Sequence, residues 1–251
     1  MKIAIGIPIS RLFDWRAILA QMYAMRDMLG LGHSVQFMVE GNHERPKPIV
    51  QARNEIALRA MDAGADFLLW LDSDATGTPG MLARLLERDL PIVSALCFKR
   101  KYPVSPACGR KNTDPDAPDS SHPSPVDDVA EWVKGSGNLQ NTTSAILLPD
   151  REGALLSVDV VGTHYTLIKR GVFERLPQPW YKRTTPPDWG STGSDWYFCM
   201  QATAAGFPVF VDMTAISGHL EGSHEIAVHD FVAWTMATKL SEYKREQQGE
   251  K

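Results

Sequence analysis

Apolar residues in the first hundred positions alternate between short continuous runs, typical of buried strands, and stripes spaced three or four residues apart, typical of helices. The runs predict strands over Lys2–Ile9, Val35–Val39, Asp66–Leu71 and Pro91–Phe98. Helical stripes fall between them, at Trp15, Ile18, Leu19, Met22, Met25 and Leu29, at Ile49, Ala52, Ile56, Ala57, Ala60 and Met61, and over Pro79–Arg88. This alternation predicts an α/β fold with a mostly parallel central sheet and helices on both faces.

The pattern changes after residue 110. Asn112–Glu131 holds four prolines and six acidic residues without Lys or Arg, which predicts a mobile insertion rather than a packed element. Further strands are predicted at Leu155–Val161, extended by Thr166–Ile168, and at Val209–Asp212. Helices are predicted over Arg170–Leu176 and Ile226–Tyr243, and a third runs from an N-cap at Ser194 to Gly206. The last helix would bury Val228, Phe231, Val232, Thr235, Met236 and Leu240, ahead of a frayed tail. We expect one domain, with a first half at 1–110, the flexible insertion at 111–145, a second half at 146–225 and a C-terminal helix and tail at 226–251.

Composition limits the possible classes of protein. The chain has 251 residues, 43% of them hydrophobic and 22% charged, and a net charge of −4, so nothing general favours nucleic-acid binding. The apolar runs are far shorter than the roughly 20 residues of a membrane-spanning helix, and the first residues lack the pattern of a signal peptide. Three cysteines without a Cys-x-x-Cys pair suit a reducing compartment, so a cytoplasmic location is expected.

The clearest chemical signal is a pair of carboxylates, Asp72 and Asp74, directly after the apolar run Asp66–Leu71. Side chains alternate along an extended chain, so both carboxylates can point the same way beyond the strand. Ligands of open α/β sheets bind at such strand ends, and carboxylates suit hard cations. An isolated Asp-x-Asp is also typical of a solvated turn, and the possible third ligand, His219, favours the metal interpretation.

Several motifs together resemble nucleotide-sugar glycosyltransferases of the GT-A fold, in a family-two-like arrangement. The first half carries Ala52-Arg53-Asn54 and then Ala63-Gly64-Ala65-Asp66, which leads into Leu71-Asp72-Ser73-Asp74. The second half carries Val161-Gly162-Thr163, Leu167–Phe173, Ser194-Asp195-Trp196, Ala205-Gly206-Phe207 and Gly218-His219-Leu220. The segments keep the family's order from Met1 to about Leu220. Many inverting members have Glu-Asp where this chain has Ser194-Asp195.

The resemblance implies a GT-A-like, Rossmann-related sandwich and a hexosyltransferase-type activity. It also implies a nucleoside-diphosphate sugar as donor and Mn²⁺ or Mg²⁺ held by Asp74 and His219, with Asp72 at the metal through water or at the ribose. Asp195 would act as the catalytic base, with inversion favoured over retention. The implied donor side comprises Pro8, Ile9, Ser10, Arg53, Asp72, Ser73, Asp74 and Lys99, and the implied acceptor side comprises Gly162, Thr163, His164, Trp189 and Trp196.

Each of these roles has a structural alternative. Asp195 is equally typical of a helix-capping acid, and Arg53 on an apolar stripe is also typical of a structural ion pair. An isolated His219 would be a structural histidine, and the tryptophans would more often pack in a core. The acceptor stays open between a glycan, a small molecule, a protein and a modified nucleic-acid base, and so does the oligomeric state.

Other classes of function remain as alternatives. Asp72-Ser73-Asp74-Ala75-Thr76 fits the nucleophile motif of haloacid-dehalogenase-like phosphatases, although the later acidic pair Asp127-Asp128 follows a proline-rich stretch instead of a strand. His219, His224 and His229 could suggest zinc, but their spacing is not that of a compact structural site. Dinucleotide and P-loop motifs are absent from the sequence. An inactive sugar-nucleotide or glycan-binding module is the alternative from outside enzymology.

Overall fold

The computed structural model describes residues 1–9, 14–41, 47–100, 104–110, 125–135, 145–184 and 193–247, with backbone only for 239–247. In chain order its elements are β1 (Lys2–Pro8), α1 (Trp15–Gly30), β2 (Ser34–Glu40), α2 (Ile49–Asp62), β3 (Phe67–Leu71), α3 (Met81–Glu87), β4 (Ile92–Leu96), β5 (Cys108–Gly109), α4 (Val126–Lys134), β6 (Ile146–Leu147), β7 (Leu155–Val158), β8 (Val160–Val161), β9 (Tyr165–Lys169), α5 (Arg170–Arg175), α6 (Ser194–Ala204), β10 (Val209–Ile216), β11 (His219–Glu221), β12 (His224–Ile226) and α7 (Val228–Gln247).

One eight-stranded mixed sheet forms the centre, in the order β2-β1-β3-β9-β4-β10-β6, with β7 also paired to β10. Strands β2, β1 and β3 are mutually parallel, β4 and β10 are parallel, and β9 runs antiparallel to both β3 and β4. Five of the eight strands therefore run in one direction. The predicted α/β class with a mostly parallel sheet is confirmed.

The position of β9 differs from the prediction. Thr166–Ile168 was expected to extend the strand before it, but the structure places β9 between β3 and β4 and divides Leu155–Val161 into β7 and β8. Inside the sheet, Thr166 Oγ1 donates to Ser94 Oγ at 2.9 Å and ties β9 to β4. Periodicity predicts that a segment is extended, but it does not say which strands the segment pairs with.

Helices cover both faces, as predicted. On one face, α1 and α3 bury Ala20, Ala24, Met28, Met81 and Leu85 against Ile3, Ile5 and Leu69. On the other face, α2, α5 and α6 bury Ile56, Ala57, Ala60, Phe173 and Phe198 against Ala4, Leu68 and Trp70. The carboxyl ends of β1, β3 and β4 open between these two layers.

The apolar stripe that predicted α1 does not form the buried face of this helix. Trp15, Ile18, Met22 and Leu29 are 66%, 44%, 52% and 59% exposed, whereas Ala17, Ala20, Ala24 and Met28 are fully buried. Small alanines allow the helix to approach the sheet closely, so the large apolar residues are left on a flank.

Three further expectations are corrected. Val126–Lys134 is a helix with Val129, Trp132 and Val133 buried, so the last part of the predicted insertion does pack; residues 111–124 lie outside the described part. The N-cap of α6 is Gly193, and Ser194 is the first helical residue. On α7, Met236 is half exposed instead of buried.

Within the described residues, no helix combines the length and apolarity that crossing a membrane requires.

Candidate metal-binding cavity

A cavity of about 650 Å³ opens at the carboxyl ends of β1, β3 and β4. Pro8 ends β1, Asp72–Asp74 follow β3, and Cys97–Arg100 follow β4. Its lining comprises Pro8, Ile49, Arg53, Asp72, Ser73, Asp74, Cys97, Lys99, Arg100, Ala107, Gly162, Thr163, His164, Asp195 and His219. This volume lies within the roughly 300–1,000 Å³ of small-molecule sites.

Asp74, His164 and His219 converge in this cavity, and one ligand atom of each lies within 4.8 Å of the others. The backbone holds them there, because Leu220 N donates to the carbonyl of Asp74 at 2.9 Å and Ala75 forms a β-bridge with His219. Two distant segments of the chain therefore meet through main-chain bonds. Three ligands on one side of a cavity leave open positions for substrate oxygens.

Hydrogen bonds orient both imidazoles toward the carboxylate. His219 Nδ1 donates to the carbonyl of Phe98 at 3.0 Å, and His164 Nε2 donates to the carbonyl of Gly218 at 2.9 Å, since a carbonyl can only accept. The remaining nitrogens face Asp74, with His219 Nε2 3.6 Å from Oδ2 and His164 Nδ1 3.9 Å from Oδ1. Metal-binding histidines are typically fixed in this way through their second nitrogen.

The protonation states of His164 and Asp74 suit a bound cation. Burial, with a contribution from the ring of His219, lowers the pKa of His164 to about 3, so its Nδ1 carries a lone pair at neutral pH. Burial alone would raise the pKa of Asp74, but the neighbouring His219 and Arg100 outweigh burial and hold that pKa below its usual range. A neutral imidazole and an ionised carboxylate are the forms that bind metals.

A second cluster lies beside this group and is centred on the buried guanidinium of Arg53. Its Nη1 donates to Ser194 Oγ at 3.0 Å, and its Nη2 lies 3.4 Å from Asp72 Oδ2. Burial is the largest influence on the carboxyl of Asp72 and raises its pKa to about 6, although Arg53 opposes this. Arg53 therefore links α2, the end of β3 and the start of α6.

Asp195 reaches the cavity from the first turn of α6. Its Oδ1 accepts from the backbone N–H of Trp196 at 3.0 Å, and its Oδ2 lies 3.7 Å from the position that a Cβ on Gly162 would occupy. A Cβ on Gly193 would come within 2.4 Å of Asp195 Oδ1. Side chains at Gly162 or Gly193 would therefore crowd this carboxylate, and the two glycines keep it open to the cavity.

Unpartnered buried polar atoms concentrate in this cavity. Within the described residues, four buried side-chain atoms of its lining lack a hydrogen-bond partner: Arg53 Nε, Asp72 Oδ1, Thr163 Oγ1 and His164 Nδ1. Each such atom costs on the order of 1–3 kcal/mol when it is left unsatisfied. The concentration of this cost in one cavity is typical of a binding site for a polar ligand.

Cations border the mouth of the cavity. Arg100 Nη1 lies 2.9 Å from Asp74 Oδ2 and 3.7 Å from Glu221 Oε2, and Lys99 lies beside it in the lining. Arg100 therefore neutralises the same carboxylate oxygen that His219 faces. A cation bound at Asp74 would compete with this guanidinium.

The sequence-predicted residues fall into three groups. Pro8, Arg53, Asp72, Ser73, Asp74, Lys99, Gly162, Thr163, His164, Asp195 and His219 all line the cavity. Ile9 instead donates its N–H to the carbonyl of Glu40, and Trp196 packs against the core on the α2 side. Ser10 and Trp189 lie outside the described residues.

Sequence reasoning missed Ile49, Cys97 and Ala107 as lining residues and placed His164 only on the acceptor side. Small and apolar residues carry no chemical signal. The pairing of His164 with Asp74 depends on β9 lying next to β3, where Asp72 N donates to the carbonyl of His164 at 3.1 Å. The other two histidines considered for zinc, His224 and His229, contact Asp230 instead.

Comparison with models of protein families and with curated proteins finds no match. Solved structures with a similar fold include "A197 from STIV", with TM-score 0.47 and 13% identity, over 88% of this chain and 86% of that one. A glycosyltransferase involved in glycosylating the major capsid of PBCV-1 has TM-score 0.35 and 11% identity, over 72% and 69%. The inositol-1-phosphate CTP transferase from T. maritima has TM-score 0.38 and 12% identity, over 93% and 94%.

Proposed function

We propose that this protein is a metal-dependent glycosyltransferase that moves a sugar from a nucleoside-diphosphate sugar to an acceptor hydroxyl. The observation that carries the proposal is the convergence of two oriented imidazole nitrogens on the carboxylate of Asp74. Five of the motifs that resemble GT-A enzymes contribute residues to the lining of the same cavity, including Arg53, Asp72, Gly162, Asp195 and His219. Inversion at the sugar is favoured over retention, because Asp195 offers a carboxylate on the acceptor side.

Asp74, His164 and His219 would hold the cation, and the buried, unpartnered Nδ1 of His164 supports the fit. Two imidazoles favour Mn²⁺ or a similar transition ion over Mg²⁺, which prefers oxygen ligands. A divalent cation supplies positive charge for the departing diphosphate. Asp72, which Arg53 holds in place, would then contact the ribose or a metal-bound water, as the resemblance implies.

Asp195 would act as the base. Its Oδ2 would take the proton of the acceptor hydroxyl while the acceptor oxygen bonds to the anomeric carbon and the bond from that carbon to the phosphate oxygen breaks. The electron pair of the broken bond leaves with the diphosphate, near which Lys99 and Arg100 supply positive charge. General-base assistance of this kind is worth about 10²–10⁴-fold in rate.

The observed geometry gives less support to the alternatives. A haloacid-dehalogenase-like phosphatase needs a second acidic pair at its nucleophile, but Asp127 and Asp128 are on α4 and do not line the cavity. A non-catalytic sugar-nucleotide-binding module would use the same cavity, but it has no need of a carboxylate at the acceptor-side turn. Donor turnover separates a binding module from an enzyme.

The test is a panel of nucleoside-diphosphate sugars with Mn²⁺, in which release of the nucleoside diphosphate is measured with and without candidate acceptors. We expect release with one donor class, loss of release in EDTA, and loss in His164→Gln. His224→Gln is the matched control, because His224 is exposed and pairs with Asp230 outside the cavity. Binding of a donor without release under any condition would favour the binding module, and equal release by His164→Gln would reject the metal site.

A further inference from the structure

The flank of α1 that carries Trp15, Ile18, Met22 and Leu29 is an exposed apolar surface. Successive helical residues are rotated by roughly 100°, so these four side chains lie on one side of the helix, almost opposite its buried alanine face. Asp27 lies on the opposite side, where it accepts the N–H of Gly80 at the start of α3. The apolar flank therefore faces solvent, on the side of α1 that is away from α3 and nearer to the sheet edge formed by β2.

The edge strand continues this apolar surface. Val35, Phe37 and Val39 are in register with Ile3, Ile5 and Ile7, whose side chains lie in the core beneath α1. Paired residues of neighbouring strands point to the same face, so these three side chains lie on the α1 side of the sheet. Phe37 and Val39 remain 37% and 41% exposed.

The backbone of β2 is open along the same edge. Ser34 N donates to the carbonyl of Met1, and Glu40 O accepts from the N–H of Ile9, so the even-numbered residues bond to β1. The peptide groups of Val35, Phe37 and Val39 therefore point away from the sheet. Arg59 reaches the outer carbonyl of Val39 at 3.4 Å, and within the described residues no strand pairs with this edge.

The edge strand also lacks the usual protection against pairing. Natural edge strands carry Lys, Pro or a bulge that discourages association. β2 reads Ser-Val-Gln-Phe-Met-Val-Glu and has regular parallel pairing over all seven residues. Its one charged residue, Glu40, is already bound by Lys47 and Arg59.

We propose that this surface binds a second copy of the chain, with β2 pairing antiparallel to β2 of the partner across a two-fold axis at Phe37. In this register Phe37 opposes the partner subunit's Phe37, and Val35 opposes the partner subunit's Val39. The outward peptide groups then bond to each other, and all the side chains facing α1 are apolar. The α1 flanks of the two copies face one another above the joined sheets, and Ser34 opposes the partner subunit's Glu40, so no like charges meet.

The exposed area is sufficient for a stable dimer. An aromatic side chain can bury roughly 150–250 Å², an aliphatic one somewhat less, and stable complexes bury about 800 Å² per partner. Trp15, Ile18, Met22, Leu29, Leu31, Phe37 and Val39 are between 37% and 66% exposed. Together they present several hundred square ångströms, which is most of the roughly 800 Å² per partner, and the paired β2 backbones add to it. This inference does not depend on the proposed function.

The first test is the molar mass of the whole chain by light scattering over a concentration series. We expect a dimer for the wild type and at least a tenfold higher dissociation constant for Met22→Glu. Met236→Glu is the matched control, because Met22 and Met236 are 52% and 50% exposed on different helices. A monomeric wild type at all concentrations, or equal weakening by both variants, would overturn the proposal.

The second test determines the register of the paired strands with substitutions that add no charge to the edge strand. Opposed hydrogen-bonded residues of antiparallel strands have Cα atoms about 5.5 Å apart, which suits a disulfide. Phe37→Cys should therefore form a covalent dimer under mild oxidation, while Gln36→Cys, whose side chain lies on the other face of the sheet, should not. The three natural cysteines are buried and give a low background. Equal cross-linking of both variants, or none with Phe37→Cys, would contradict the proposed pairing.

Discussion

Two acidic sites of this protein are buried in different ways. Asp212 on β10 is fully buried, and Arg88 Nε at 2.6 Å, Thr214 N at 2.9 Å and Thr214 Oγ1 at 2.6 Å all donate to it. In the cavity, by contrast, Asp72 Oδ1 and His164 Nδ1 have no hydrogen-bond partner, and Arg100 Nη1 is the donor to Asp74 Oδ2 at 2.9 Å.

This difference distinguishes a carboxylate that stabilises the fold from a site that is suited to bind a ligand. A buried carboxylate with all its bonds made stabilises the fold and has no capacity left for a ligand. A cluster of oriented but unpartnered polar atoms costs stability, and such clusters are retained where a ligand completes them. Substitutions at the two sites should therefore have opposite effects on stability and on binding.

The largest effect is expected at Asp74. Asp74→Asn should lower transfer by at least about 10³-fold, because the cation supplies several kcal/mol of charge stabilisation. The metal-free protein should lose only about 1 kcal/mol of unfolding free energy, because the partly exposed ion pair with Arg100 contributes little. Asp212→Asn is the converse control, with a loss of about 3 kcal/mol as a buried ion pair is broken. Release of the nucleoside diphosphate and urea unfolding measure these two quantities, and a similar profile for the two variants would remove the distinction.

The next effect concerns Asp195, which is either a base or a helix-capping acid. Asp195→Asn should reduce transfer by about 10²–10⁴-fold and leave donor affinity unchanged, because it keeps the size but not the basicity. Asp230→Asn is the matched control, since Asp230 is an acid in the first turn of α7 that accepts the N–H of Ala227 at 3.0 Å. Single-turnover rates and donor titrations test this. Near-normal transfer by folded Asp195→Asn would reject the base assignment.

A smaller effect concerns stability and pH at Asp72. Its pKa is raised to about 6 in the folded protein, so the folded state holds this proton more tightly than the unfolded state does. The contribution is present below the ordinary Asp value and is lost as the pH rises through about 6. Between pH 4 and pH 8 in EDTA, wild type should therefore lose about 2 kcal/mol relative to Asp72→Asn. Melting curves across this range test the sign, and a constant difference between the two proteins would contradict it.

The smallest effect is expected at Arg100. Its guanidinium holds Asp74 Oδ2 at 2.9 Å and is about one-third exposed, so the ion pair is worth at most about 1 kcal/mol. Arg100→Gln should therefore bind Mn²⁺ up to about five-fold more tightly when no nucleotide is present. Calorimetry without donor measures this. Weaker binding by this variant would mean that Arg100 supports the cation site instead of competing for it.

Local signals were sufficient to predict much of the fold. The alternation from β1 to β4 and the carboxylates after β3 follow from periodicity and from the abrupt end of an apolar run. The insertion of β9 between β3 and β4 was not predictable in this way, because a five-residue buried strand does not encode its neighbours. The buried face of α1 was missed for a related reason, since size alone favours Met22 over Ala20 as a core residue.

The sequence indicated individual residues of the candidate site but not the contacts between them. The resemblance drew attention to Asp74 and His219, but the contact between His164 and Asp74 arises from tertiary structure. The orientation of both rings depends on the carbonyls of Phe98 and Gly218, which any sequence would supply. A hydrogen-bonding arrangement through backbone atoms has no sequence signature.

The most direct test of the central claim is the pulsed electron paramagnetic resonance of Mn²⁺ added to the whole protein, which detects nitrogen ligands through their nuclear modulation. We predict modulation from two imidazole nitrogens, reduced to one in His164→Gln and to one in His219→Gln, and unchanged in His224→Gln. A spectrum of bound Mn²⁺ without nitrogen modulation, or one that neither cavity variant alters, would contradict the assignment of a cation to Asp74, His164 and His219.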